Sequence, residues 1–136
     1  MKPQYFILLM LGIFLISCSG EKEIIPLAEH PRPDFERAVW QNLNGTWQFK
    51  PDSLNVGLAE NWQNKPETFE SKIVVPFSWA SQLSGVKMPK VNYGWYSRTF
   101  TIVNAESWKG KNIWLVFCAS DFNTTVWVNG KEAGNH

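Results

Sequence analysis

Histidine and cysteine are scarce in this sequence, with two of each among 136 residues. His30 and His136 make no zinc-ligand spacing, so no metal site is expected. Cys18 and Cys118 lie far apart, and the first has an explanation of its own. Charge is also thin: thirteen Lys/Arg nearly balance twelve Asp/Glu, leaving +1. No Lys/Arg run or basic stripe is visible, which removes nucleic acid from the expected partners. No helical period is sustained and no repeat is apparent. What the chain does have is apolar and aromatic residues, at 44% and 15%. That suits one all-β domain with a real core.

The N-terminus reads as an export signal. In "MKPQYFILLMLGIFLISCSG", Lys2 precedes an apolar run from Tyr5 to Ile16, broken only by Gly12. The run is short for a bilayer span and about right for a signal h-region. It ends in Leu15-Ile16-Ser17-Cys18, which resembles a bacterial lipobox. Residues 1–17 are then a lipoprotein signal peptide, and Cys18 becomes the acylated first residue. The alternative is an ordinary cleaved signal with a chance cysteine. Acyl chains contribute about 0.8 kcal/mol per buried methylene, so several would anchor the protein to the membrane. An acylated Cys18 cannot form a disulfide. Cys118 is expected to be a buried packing thiol. The expected location is the bacterial cell envelope, on the periplasmic or outer-membrane side. Residues 18–33, charged and proline-containing, read as a tether.

Short strands follow. "GTWQFK" (45–50) alternates, with Trp47 and Phe49 on one face. "SKIVVP" (71–76) is a strand ended by Pro76, which cannot donate to a ladder. "GWYSRTFTIV" (94–103) sets Tyr96, Arg98, Phe100 and Ile102 on one face. "NIWLVFC" (112–118) is continuously apolar and reads as a central strand covered on both faces. "TTVWVNG" (124–130) ends in Asn129-Gly130, the strongest short-range hairpin signal, because both central residues of a type I′ turn need positive φ. Together these predict an antiparallel β-sandwich with Trp47, Phe49, Tyr96, Phe100, Leu115, Phe117 and Trp127 in the core.

Eight tryptophans raise the question of sugar stacking. Trp47, Trp114 and Trp127 sit in strands and read as core; Trp62 and Trp79 lie in loops. Glycosidase chemistry needs two carboxylates at a separation of roughly 5–5.5 Å or 6.5–9.5 Å. The acids Asp34, Glu36, Asp52, Glu60, Glu67, Glu70, Glu106, Asp121 and Glu132 are scattered over loops and strand ends, and read mostly as solvated surface. Asp121 opens a loop after an apolar strand, where an Asx-type turn explains it. No catalytic residue is assigned.

Read together, the segments resemble the N-terminal sugar-binding domain of glycoside hydrolase family 2, the family of β-galactosidases, β-glucuronidases and β-mannosidases. The residues that carry this are Leu43-Asn-Gly-x-Trp47, Val75-Pro-x-x-Trp79, Trp95-Tyr-x-Arg-x-Phe100 and the Val126-Trp-Val-Asn-Gly-x-x-x-Gly134 hairpin, in family order. The resemblance covers about residues 31–136. It implies a galactose-binding-like jelly roll over 34–136, partial at its C-terminus, with the catalytic glutamates in a TIM barrel that this chain lacks. It implies a carbohydrate ligand, no cofactor, and sugar contacts from the loop of Asn92 and Tyr93 and from His136. Two other readings stay open: a stand-alone lipid-anchored carbohydrate-binding protein and a plain surface interaction domain.

Overall fold

The computed structural model describes residues 25–136. The signal peptide and Cys18 lie outside the described residues. Five strands are formed: β1 (Gly45–Pro51), β2 (Ser71–Val75), β3 (Gly94–Ser97), β4 (Thr125–Val128) and β5 (Lys131–Asn135). The one α-helix among the described residues, α1 (Ala105–Trp108), is a single turn; four 3₁₀ turns complete the elements. The described residues are therefore mostly β, and all sheet pairing among them is antiparallel.

β1 is the centre of a three-stranded sheet in the order β2-β1-β3. Its alternation sets the two faces. Trp47 stands opposite Ile73 and Phe49 opposite Tyr96, so these four share one face. Phe49 and Ile73 are fully buried there. Trp79 arrives from the loop after β2 and packs on both Phe49 and Tyr96, with centroids at 6.2 and 6.4 Å. Gly94 permits this approach, because a Cβ at that position would press into the rings of Phe49 and Trp79.

The other face carries Lys50 opposite Trp95. Trp62 and Phe69 cover that end of the sheet and are both buried. Trp62 lies edge-on to Trp95 at 5.9 Å and to Phe69 at 6.4 Å. The Lys50 ammonium sits 3.7 Å from the Trp62 ring centroid, a cation–π contact.

β4 and β5 form a separate hairpin. Asn129 and Gly130 take φ of 50° and 76°, the two positive values a type I′ turn requires. A bulge between Val126 and Trp127 interrupts the register. The hairpin docks through Trp127, which stacks on Trp95. Its tip rests on the 3₁₀ turn Trp62–Asn64: a Cβ on Gly130 would overlap the Asn64 side chain.

Three expectations are corrected. Residues 112–118 form no strand, and Trp114, Leu115 and Phe117 are exposed rather than core. A continuous apolar run reports a need for cover on both faces. No strand of the described chain lies alongside to provide it. Cys118, on the same segment, is exposed for the same reason. Finally, β3 stops at Ser97, and Tyr96 (37% exposed) and Phe100, both expected in the core, are exposed, as is Val103. Beyond that point Arg98 Nη1 donates to the carbonyls of Asn44 and Thr46 (3.1 and 3.2 Å), so a side chain rather than a ladder bonds β1 there.

Candidate functional site

The end of β1 is organised by Asp52. Its backbone N–H donates to the Tyr93 carbonyl at 2.9 Å, adding one bond to the β1–β3 ladder. Its carboxylate accepts from the N–H groups of Val56 (2.9 Å) and Gly57 (2.8 Å) and from the Trp95 indole nitrogen (3.1 Å). Asp52 is only 2% exposed. Burial alone would raise its pKa. The donors of Val56, Gly57 and Trp95 outweigh that and hold the carboxyl below its ordinary range. Gly57 is required by contact: a Cβ there would overlap the Trp95 indole.

This corrects the reading of Asp52 as solvated surface. Trp62, in the same loop-like stretch, is buried as well. A local signal existed in "PDSLNVG" (51–57), where an Asp precedes a turn-forming stretch able to turn its amides back on the carboxylate.

The residues singled out for sugar contact fall in two places. Asn92 and Tyr93 sit in the loop just before β3, with both side chains exposed. Tyr93 is clamped by its carbonyl bond from Asp52. His136 lies just past β5. It exchanges backbone bonds with Thr124 (2.8 and 2.9 Å), and its side chain is exposed. The Trp95–Trp127 stack is what connects the two regions, since it joins the strand that follows Tyr93 to the hairpin that ends at His136.

On the sheet face that carries Gln48, an open recess of about 460 Å³ is lined by Thr46, Trp47, Gln48, Lys72, Ser97, Arg98 and Thr99. Lys72, Gln48 and Ser97 form one cross-strand row over β2, β1 and β3. Two cations, three hydroxyls and an amide offer hydrogen bonds suited to a polyhydroxyl ligand. No carboxylate lines it among the described residues, so it holds no acid/base pair.

The remaining acids among the described residues are engaged locally or stand apart. Asp34 pairs with Arg32 at 2.8 Å, Glu36 accepts from the Trp40 indole, and Glu60 accepts from the Trp62 indole. Glu106 faces Lys109, and Glu132 accepts from Asn135. Asp121 is exposed. Among the described residues no group of three or more His, Cys, Asp or Glu is placed to hold a metal. No helix among them is long and apolar enough to cross a membrane.

Comparison with known proteins gives the chemical context. No family model matches the chain. It is 29% identical over 107 residues to a β-glucuronidase of Paenibacillus borealis, covering 78% of this chain and 17% of that protein. It is 26% identical over 137 residues to a putative β-glucuronidase of Formosa agariphila, covering 96% of this chain and 14% of that one. The chain thus spans less than a fifth of the length of either relative. What this similarity supports is a relationship to the glycoside hydrolases.

Proposed function

We propose that this chain is the N-terminal sugar-binding region of a family 2 β-glycosidase, a jelly roll that supplies substrate contacts while a barrel elsewhere in the whole protein supplies the catalytic glutamates. The similarity to the Paenibacillus borealis β-glucuronidase over 78% of the chain carries this reading. Both relatives are named for glucuronide cleavage, so a β-glucuronide is the first substrate class to test. Asn92, Tyr93 and His136 are the proposed sugar contacts. Acylation of Cys18 would hold the protein at the cell envelope.

Catalysis by this chain alone is not part of the proposal. Glycoside hydrolysis needs an acid and a nucleophile or base held across the scissile bond. Asp52, the buried acid, is saturated with donors and kept ionised, which suits neither proton donation nor attack. The experiment is an assay of the purified full chain in detergent against nitrophenyl β-glucuronide, β-galactoside and β-mannoside. No turnover above background is expected. A weak change in tryptophan emission is expected on titration with methyl β-glucuronide. Turnover that disappears in Asp121→Asn or Glu132→Gln would make the chain an enzyme by itself and defeat the proposal.

A further inference from the structure

The chain joins the folded body earlier than its composition suggests. Asn44 Nδ2 donates to the carbonyls of Pro26 (3.1 Å) and Leu27 (3.4 Å). Asn42 Nδ2 donates to those of Leu27 (3.0 Å) and Ala28 (3.4 Å). Asn42 Oδ1 in turn accepts from the Asn44 N–H at 2.7 Å, so the two side chains are fixed relative to one another. Asparagine suits this work because one short amide carries both donors and an acceptor. The turn they hold is a built one. Leu27 has φ of 49°, a left-handed value that a bulky residue keeps only where its surroundings fix it. The same corner is tied to the chain beyond β3. Arg98 Nη1 donates to the Asn44 carbonyl, Gln41 Nε2 donates to the Thr101 carbonyl (3.0 Å), and Gln41 Oε1 accepts from the Val103 N–H (2.9 Å).

This corner lies at the Gly45 end of β1. The loop of Asn92 and Tyr93 lies at the other end, since Pro51 pairs with Gly94. The length of β1 from Gly45 to Pro51, about 20 Å of strand rise, separates the two. Cys18 stands only eight positions before Pro26. Eight residues reach at most about 26–29 Å whatever conformation they take, whereas a tether running on to Pro33 would reach about 50–54 Å. We infer that the corner made by residues 26–28 and 42–44 is the membrane-facing side of the anchored protein, held near the lipid surface by this short leash, with the loop of Asn92 and Tyr93 carried outward at the far end of β1. The inference rests on the proposed acylation of Cys18 and not on the sugar-binding role. Its physical basis is exclusion. The folded body cannot enter the bilayer, so a leash not much longer than β1 favours orientations with the attachment corner nearest the lipid. A leash twice as long would let that bias fade. A loop held outward meets a carbohydrate without the ligand having to pass between protein and lipid.

Energy transfer to the membrane tests this. The acylated full chain carries Cys118→Ser and one introduced thiol for a donor dye, at Glu29→Cys beside the corner or at Asn92→Cys in the loop; both positions are exposed. Each protein is reconstituted into vesicles of phosphatidylethanolamine and phosphatidylglycerol with an acceptor dye on the headgroups. Transfer is expected to be several-fold stronger from position 29 than from position 92. Inserting about fifteen Gly/Ser residues between Ser19 and Gly20 leaves the folded residues untouched and should weaken transfer from 29 and narrow the difference. Asn42→Ala with Asn44→Ala should narrow it as well, by releasing residues 26–28. Equal transfer from the two positions of the parent chain, or stronger transfer from 92, overturns the inference. So does a difference that the insertion leaves unchanged. A chain that does not stay with the vesicles overturns the acylation of Cys18 and this orientation with it.

Discussion

The indole rings of Trp95 and Trp127 lie stacked, with centroids 5.3 Å apart and planes 20° from parallel. Trp95 belongs to β3 and Trp127 to β4. The contact therefore joins the three-stranded sheet to the hairpin, two units that share no ladder. Trp95 also donates to Asp52 and lies edge-on to Trp62, so one side chain ties hairpin, sheet and β1 terminus together.

Trp127→Ala is expected to undock the hairpin. Aromatic pairs contribute about 0.5–1.5 kcal/mol beyond area burial, and this indole is half-buried, so the cost should be about 1–3 kcal/mol. Chemical denaturation would measure it. Hydrogen exchange should rise at Thr125–Val128 while β1 stays protected. An unchanged midpoint would mean that the stack does not hold the hairpin.

Asp52→Asn should destabilise by about 1–3 kcal/mol at neutral pH, because three N–H donors lose an ionised acceptor in a buried site. The folded-state pKa of Asp52 is depressed. Its stabilisation is therefore present above the unfolded value of about 3.9 and is lost as pH falls through the lower folded value. The wild type should lose stability across that acid window, and the Asn variant should lose less there. Parallel acid profiles for the two proteins would contradict this role.

Tyr96 gives the alkaline counterpart. Its ring is packed edge-on against Phe49 at 5.1 Å, and burial of the phenol pushes its pKa up to about 12. A raised folded pKa leaves stability intact below the unfolded value of about 10 and removes it as pH climbs toward the folded one. Spectroscopic titration should show one tyrosine ionising late. Tyr96→Phe should abolish that late step and flatten the alkaline loss of stability. An alkaline titration left unchanged by Tyr96→Phe would refute it.

Cys18→Ala tests the proposed anchor. Membrane fractionation should find the variant released, with its signal uncleaved at this site, whereas the wild type partitions with lipid. Mass spectrometry detecting unmodified Cys18 in membrane-bound wild type would sink the idea.

Much of the local structure was legible in the chain. Asn129-Gly130 dictated a type I′ hairpin because few other residue pairs accept two consecutive positive φ values, and that preference needs no distant partner. The alternation of Thr46, Trp47, Gln48 and Phe49 likewise set the two faces of β1, since successive side chains must point opposite ways. Burial was decided elsewhere. Asp52 and Trp62 sit in a polar stretch that reads as surface, yet both are buried, because Trp95 arrives from β3, distant in sequence, and Phe69 folds back onto Trp62 from the next turn. Residues 112–118 show the converse. Their apolarity stated a demand for cover, but cover depends on which other segments lie alongside, and among the described residues none does. For this protein the sequence alone determined turn conformation, strand period and the motif order that resembles a family 2 sugar-binding domain. Only the tertiary structure decided which side chains left water, because desolvation is a property of non-local neighbours and no local pattern can encode it.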